Sequence, residues 1–122
     1  MSESYQVIIL REAQQDIRNI TLYIARQLSA PQAALNLYNA FQKEIALLSH
    51  MPKRFQTIQE QPWGNAGIRK IRVKNYYVYY LVDDADKTVK VNAVIYIGRD
   101  QSKQMSKRNL PQSGNRIKEK KP

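Results

Sequence analysis

Apolar residues recur along the chain in two distinct rhythms. Tyr5 to Leu10 is a short, β-branched apolar run, which suits a strand. Ala13, Ile17, Ile20, Ile24 and Leu28 then fall three or four residues apart, the spacing of one face of a helix. Ser29-Ala30-Pro31 interrupts the pattern, and Pro31 is well placed in the first turn of a second helix, where its missing N–H is no loss. In that helix Ala34, Leu37, Phe41, Ile45 and Leu48 repeat the stripe until His50-Met51-Pro52 stops it. The spacing therefore predicts a helical hairpin. Residues 53–67 show no period and carry two Gly, one Pro and three Gln, so they read as a loop.

The second rhythm follows. Ile68 to Lys74 alternates, Tyr76 to Val82 is aromatic and β-branched, and Val89 to Ile97 is the most apolar stretch of the chain. Asn75 and the run Asp83 to Lys87 supply the turns, and strands joined so closely must be antiparallel. The expected order is β-α-α-β-β-β, an α+β fold in which a small antiparallel twisted sheet carries an N-terminal helical hairpin on one face. From Gln101 the apolar residues thin to Met105, Leu110 and Ile117. The domain is thus expected to span residues 1–100, and residues 101–122 to form a basic tail, largely disordered beyond one short helical piece.

Composition narrows the classes open to such a fold. With 122 residues the chain is long enough for one core, and 43% hydrophobic residues suffice to fill it. There is no Cys and only one His, which excludes disulfides and speaks against a metal site; no cofactor is expected. No apolar run approaches the ~20 residues of a bilayer span, and Met1-Ser2-Glu3-Ser4 lacks the character of a signal peptide, so a cytoplasmic protein without membrane contact is expected.

The formal charge of +10 is unevenly distributed. Residues 1–67 hold 6 basic and 5 acidic side chains, residues 68–122 hold 14 and 5, and the tail 101–122 alone holds 7 and 1. A local positive field attracts phosphate backbones or acidic protein segments, and for the tail it equally fits a merely solubilising role.

Candidate chemistry concentrates on the strand after the loop. Alternation places Lys70, Arg72 and Lys74 on one face and Arg69, Ile71 and Val73 on the other. Cations two residues apart on a strand stand about 6–7 Å from each other, a row suited to an extended phosphate backbone. The same row also fits a solvated face kept basic against edge pairing. Tyr76, Tyr77, Tyr79 and Tyr80 divide two to each face; one pair is expected in the core, leaving Tyr77 and Tyr79 as a stacking surface. His50 ends the second helix, where a cation suits the helix dipole. Trp63 is expected to anchor the long loop to the core.

The chain resembles the RelE/ParE superfamily of bacterial type II toxins. The resemblance rests on Ala13 with Asp16-Ile17, Tyr23-Ile24-Ala25, Pro31 with Ala33-Ala34, Phe41, and Leu48 with Pro52. It continues through Gly67-Ile68-Arg69-Lys70, Val73, Asn75-Tyr76, Val78, Tyr80, Val82-Asp83 and Arg99-Asp100, and its second half is closest to the ParE-like, plasmid-stabilisation branch. It implies a small sheet with a helical hairpin, growth inhibition, and neutralisation by a cognate antitoxin, here expected to carry an acidic segment. It further implies one of two targets. A RelE-like toxin would be an endoribonuclease cleaving messenger RNA on the ribosome, with Lys70, Arg72 and Arg99 at catalytic positions. A ParE-like toxin would inhibit DNA gyrase without an enzymatic site of its own, and Arg69, Lys74, Tyr77 and Tyr79 would then serve target binding. Ribonuclease members place an arginine where this chain has Tyr77, and a further aromatic beyond the last strand where this chain has none after Tyr96, which favours the ParE-like reading; a simple RNA-binding domain is the remaining alternative.

Overall fold

A computed structural model describes residues 4–108 and 110–112. The expected order is present: β1 (Gln6–Ile9), α1 (Arg11–Leu22), α2 (Pro31–Ala46), β2 (Arg69–Val73), β3 (Tyr76–Asp83) and β4 (Thr88–Tyr96), followed by α3 (Gln101–Lys107). The strands form one sheet in the order β1-β4-β3-β2. β2, β3 and β4 make the expected antiparallel meander, but β1 joins β4 in parallel, so the sheet is mixed rather than wholly antiparallel. Local spacing cannot reveal that pairing, because the helical hairpin and two further strands separate the partners in the chain.

The helical hairpin covers one face of the sheet. Ala13 and Ile17 of α1 and Leu37, Phe41 and Ile45 of α2 are buried against Ile71, Val73, Val78, Tyr80, Val89, Val91 and Val94. One expected member of the stripe departs: Leu28 is 55% exposed. After Leu22 the helix widens into a π-turn over Tyr23–Gln27, closed by the Leu28 N–H on the Tyr23 carbonyl. The additional residue in that turn rotates everything beyond it off the apolar face. Ser29, with φ 51°, then reverses the chain, and Pro31 opens α2 as expected.

The opposite face of the sheet is also covered. Ile58 and Trp63 of the long loop, with Met105 and Leu110, pack on Ile68, Tyr79, Ala93 and Ile95. Trp63 anchors the loop, being only 4% exposed. The short helix expected in the tail is α3, and because it closes this second layer the packed structure continues past residue 100; residues 113–122, expected to be disordered, lie outside the described residues. Covering both faces explains why β4 is apolar on both sides.

A bulge in β4 serves this two-sided packing. Tyr79 pairs with Ala93 but Tyr80 pairs with Val91, so Asn92 has no partner on β3. The extra residue reverses the alternation, letting Val91 and Val94 face the helices while Ala93 and Ile95 face α3. β1 has ended by this point, and the exposed edge of β4 is taken up by side chains. The Val94 N–H donates to Asp16 Oδ2 at 2.9 Å, and Arg108 Nη2 donates to the Asn92 carbonyl at 3.1 Å. Arg108 Nη1 also binds both Asp16 oxygens, at 3.0 and 2.7 Å, so one ion pair joins α1, the bulge and the end of α3.

Candidate target-binding face

The register of β2 against β3 sets Lys70 beside Tyr79 and Arg72 beside Tyr77, with Ile71 and Val73 turned toward the helices. The expected facing of the strand is therefore observed, but its residues have separate fates. Lys70 stands over the Tyr77 ring, its Nζ 4.0 Å from the centroid. Arg72 is exposed and donates from Nε to the Lys74 carbonyl at 2.8 Å.

Lys74 does not complete the row. Val73 pairs directly with Tyr76, so Lys74 and Asn75 together form the hairpin turn, and Lys74 takes a left-handed conformation with φ 52°. A single Asn75 is too short to reverse the strand, so the row on β2 holds two cations instead of three. Arg69 is turned inward to the loop: its guanidinium donates to the carbonyls of Phe55 and Lys53 and holds residues 53–55 against the strand. Its place is that of a brace for the loop beside the face.

Tyr79, expected to be part of a stacking surface, is fully buried beneath α3, and its hydroxyl donates to Gln101 Oε1 at 2.7 Å. Burial raises its pKa well above the ordinary tyrosine range, as a phenol sealed in a low-dielectric layer requires. Period-2 alternation correctly placed Tyr79 away from the helical hairpin; it carried no sign of the second layer above it. Tyr77 keeps partial exposure and is the one tyrosine of the pair available to a partner.

Arg99 lies beyond the end of β4 and is exposed. It lines a groove of about 350 Å³ together with Asp16, Tyr76, Tyr96, Gln104 and Arg108. Lys70 lines a different depression of about 300 Å³, formed with residues Phe55 to Glu60. The whole of β3 separates β2 from β4, a distance of about 10 Å between the two strand axes. Lys70 and Arg99 therefore line separate hollows on the two sides of β3. His50, at the end of the second helix, lines neither hollow. No group of three His, Asp or Glu side chains among the described residues is placed to hold a metal.

A larger groove of about 780 Å³ runs along the helical hairpin, with Ile17, Leu22 and Tyr38 as apolar lining and Arg11 and Arg18 as cations. Neither arginine is ion-paired among the described residues. Both arginines, Phe55 in the hollow with Lys70, and Arg54 at the Phe55 ring lie outside the residues that the sequence singles out. The available signal was their position off the apolar stripe and in the aperiodic loop, which marks exposure but not partnership.

Residues 7–100 match the family described as ParE toxin of type II toxin-antitoxin system, parDE. The chain belongs to this family of toxins. The matched segment runs from β1 to the residue before α3. No curated protein matches the chain. Among solved structures, the ParE-family chain is similar to a chain of the chromosomal ParDE system of P. aeruginosa, with 14% identity, TM-score 0.62, and coverage of 77% of this chain and 97% of that one. It is similar also to a chain of the RelBE2 toxin-antitoxin complex of Mycobacterium tuberculosis, with 19% identity, TM-score 0.54 and coverage of 77% and 92%. A mutant of E. coli toxin RelE in the free state gives 17% identity, TM-score 0.56 and coverage of 88% and 99%. At these identities the likeness is one of fold, and it extends to ParE and RelE toxins alike. No helix among the described residues is long and apolar enough to cross a membrane.

Proposed function

We propose that this ParE-family toxin arrests growth by binding, as an inhibitor of DNA gyrase in the cytoplasm, and that an acidic antitoxin neutralises it. The observation that carries this reading is that two of the candidate catalytic cations, Lys70 and Arg99, line separate hollows, with β3 between β2 and the strand that precedes Arg99. Cleavage of RNA by its own 2′-hydroxyl needs a base, an acid and charge stabilisation focused on one phosphate. Tyr77, in the strand between them, offers a ring and one hydroxyl but no charge for a phosphate. Exposed Arg72, half-buried Lys70 and Tyr77 form a continuous patch suited to holding a target surface.

The hairpin groove is the antitoxin's place in this reading. Its unpaired Arg11 and Arg18 above an apolar floor suit an acidic, amphipathic segment, and complementary charge speeds such an encounter. The ParDE and RelBE2 structures similar in fold are themselves toxin-antitoxin assemblies.

Controlled expression of the chain without a partner tests the proposal. Growth arrest with DNA breaks and an SOS response is expected, and co-expression of the cognate antitoxin should relieve it. The pair of cations on β2 favours a second reading, a RelE-like ribonuclease. That reading predicts cuts in messenger RNA at the ribosomal A site, abolished by Lys70→Ala with Arg72→Ala; such a result would overturn the gyrase proposal. Unimpaired growth would remove both and leave a nucleic-acid-binding domain.

A further inference from the structure

The depression beside Lys70 carries a ring, Phe55, that stands outside the candidate catalytic and target-binding residues. Its wall is the loop segment Phe55 to Glu60, and Lys70 closes it from the strand. This segment is held in place: the Arg69 guanidinium binds the Phe55 carbonyl, Thr57 bridges to Arg69, and the Ile58 N–H donates to the Ile68 carbonyl at 2.8 Å. Phe55 is nevertheless 37% exposed, and the Arg54 guanidinium stands 5.0 Å from its ring centroid. An apolar ring held at a surface beside a cation, and exposed to a depression, can stack a flat partner on its open side.

The next pair repeats the arrangement. Lys70 lies over Tyr77, and Tyr77 pairs across the strands with exposed Arg72. Moving from the loop onto the sheet, the surface thus alternates Arg54 with Phe55, Lys70 with Tyr77, and then Arg72. None of the three cations is ion-paired among the described residues. The one carboxylate lining the depression is Glu60, which leaves the charge of the patch positive. Rings interleaved with unpaired cations are the chemistry that holds a single nucleic-acid strand: rings stack on bases of any sequence, and cations take the phosphates.

We infer that this patch is a binding site for a single nucleic-acid strand, in which Phe55 stacks on one base over the depression while Arg54, Lys70 and Arg72 contact the flanking phosphates. The site does not depend on gyrase being the target. It supplies a contact that a topoisomerase inhibitor would use on an opened DNA strand, and that an RNA-binding toxin would use on a message.

Fluorescence anisotropy of the full chain tests it, using labelled 12-nucleotide oligo-dT, oligo-U, and an abasic deoxyribose-phosphate strand of the same length. Base stacking predicts that oligo-dT or oligo-U binds roughly 5- to 50-fold tighter than the abasic strand. Phe55→Ala should remove most of that ratio while leaving the abasic affinity unchanged, and Phe55→Trp should restore it. Phe55→Leu, which keeps the apolar bulk but has no ring, gives the same reading should the alanine variant unfold. Lys70→Ala should weaken all strands alike and lower the slope of log affinity against log salt by about one. The comparison with the abasic strand subtracts any purely electrostatic contribution from the basic C-terminal segment. Preference for dT over U or the reverse identifies the kind of strand and supports the site. Equal binding of base-bearing and abasic strands, an unchanged ratio in Phe55→Ala, or no binding to any strand would overturn it. The SOS assay of the preceding proposal reports separately, so failure of either is distinguishable.

Discussion

Replacing Arg108 by methionine removes the hub that joins α1, the β4 bulge and α3. Arg108 makes two bonds to Asp16, at 2.7 and 3.0 Å, one to the Asn92 carbonyl at 3.1 Å and one to Glu12 at 3.3 Å. The Glu12 side chain is 69% exposed, so that bond contributes little. Arg108 and Asp16 are only 19% and 20% exposed, and the substitution leaves a largely desolvated carboxylate with only the Val94 N–H to bind it. Breaking a fully buried pair costs about 3–5 kcal/mol; residual exposure brings the expectation here to about 2–3 kcal/mol. For a domain of this size that corresponds to a fall in Tm of roughly 8–12 °C.

The pH dependence gives this prediction its sharper test. Burial raises the Asp16 pKa, while the Val94 N–H and Arg108 hold the rise in check. A carboxyl that binds its proton more tightly folded than unfolded stabilises most below the unfolded pKa, and that contribution fades as pH rises through the folded value. Removing Arg108 raises the folded pKa further and steepens the loss. Arg108→Met should therefore be most damaging near neutral pH and approach the wild type in acid below the ordinary carboxylate range, where the raised pKa keeps Asp16 protonated in both. Urea unfolding followed by fluorescence of Trp63, the one tryptophan, measures both limbs. A penalty below about 0.5 kcal/mol at neutral pH, or one equal at both pH values, would refute the assignment of this pair as a structural hub.

Three further outcomes follow from the packing. Met105→Ala removes a fully buried side chain from the second layer and should cost about 2–4 kcal/mol in thermal unfolding; a near-neutral result would mean that α3 is not part of the cooperative fold. Tyr80→Phe deletes a buried hydroxyl that donates to the Pro52 carbonyl at 2.7 Å and should cost about 1 kcal/mol. Burial pushes the Tyr80 pKa to about 12, so its contribution holds below the ordinary tyrosine range and is lost as pH rises toward that value, and absorbance titration of wild type and variant should differ by one late-ionising phenol. Asp84→Asn should flatten the acid side of the stability profile. Bonds from Lys53 and the Tyr5 hydroxyl hold the Asp84 carboxyl below its ordinary range, so its contribution is present above that range and lost as pH falls through the folded value; Tm measured between about pH 2 and 5 reads this directly.

Spacing alone was enough to determine the helices, the three-strand meander and their order, because helix and strand periods are local properties of consecutive residues. Ala34, Leu37, Phe41, Ile45 and Leu48 had to share a face, and all five are buried. The facing of Lys70 and Arg72 away from Ile71 and Val73 followed from the same rule. Tertiary structure decided whatever depended on partners distant in the chain. The parallel seat of β1, the bulge at Asn92 and the layer of Ile58, Trp63, Met105 and Leu110 are contacts between segments that no local period relates. That second layer buried Tyr79, the two-residue turn withdrew Lys74 from the row, and the sheet order put β3 between Lys70 and the strand that ends before Arg99. A charge can be counted from the sequence, but whether it joins a site depends on which strand lies between it and its neighbours.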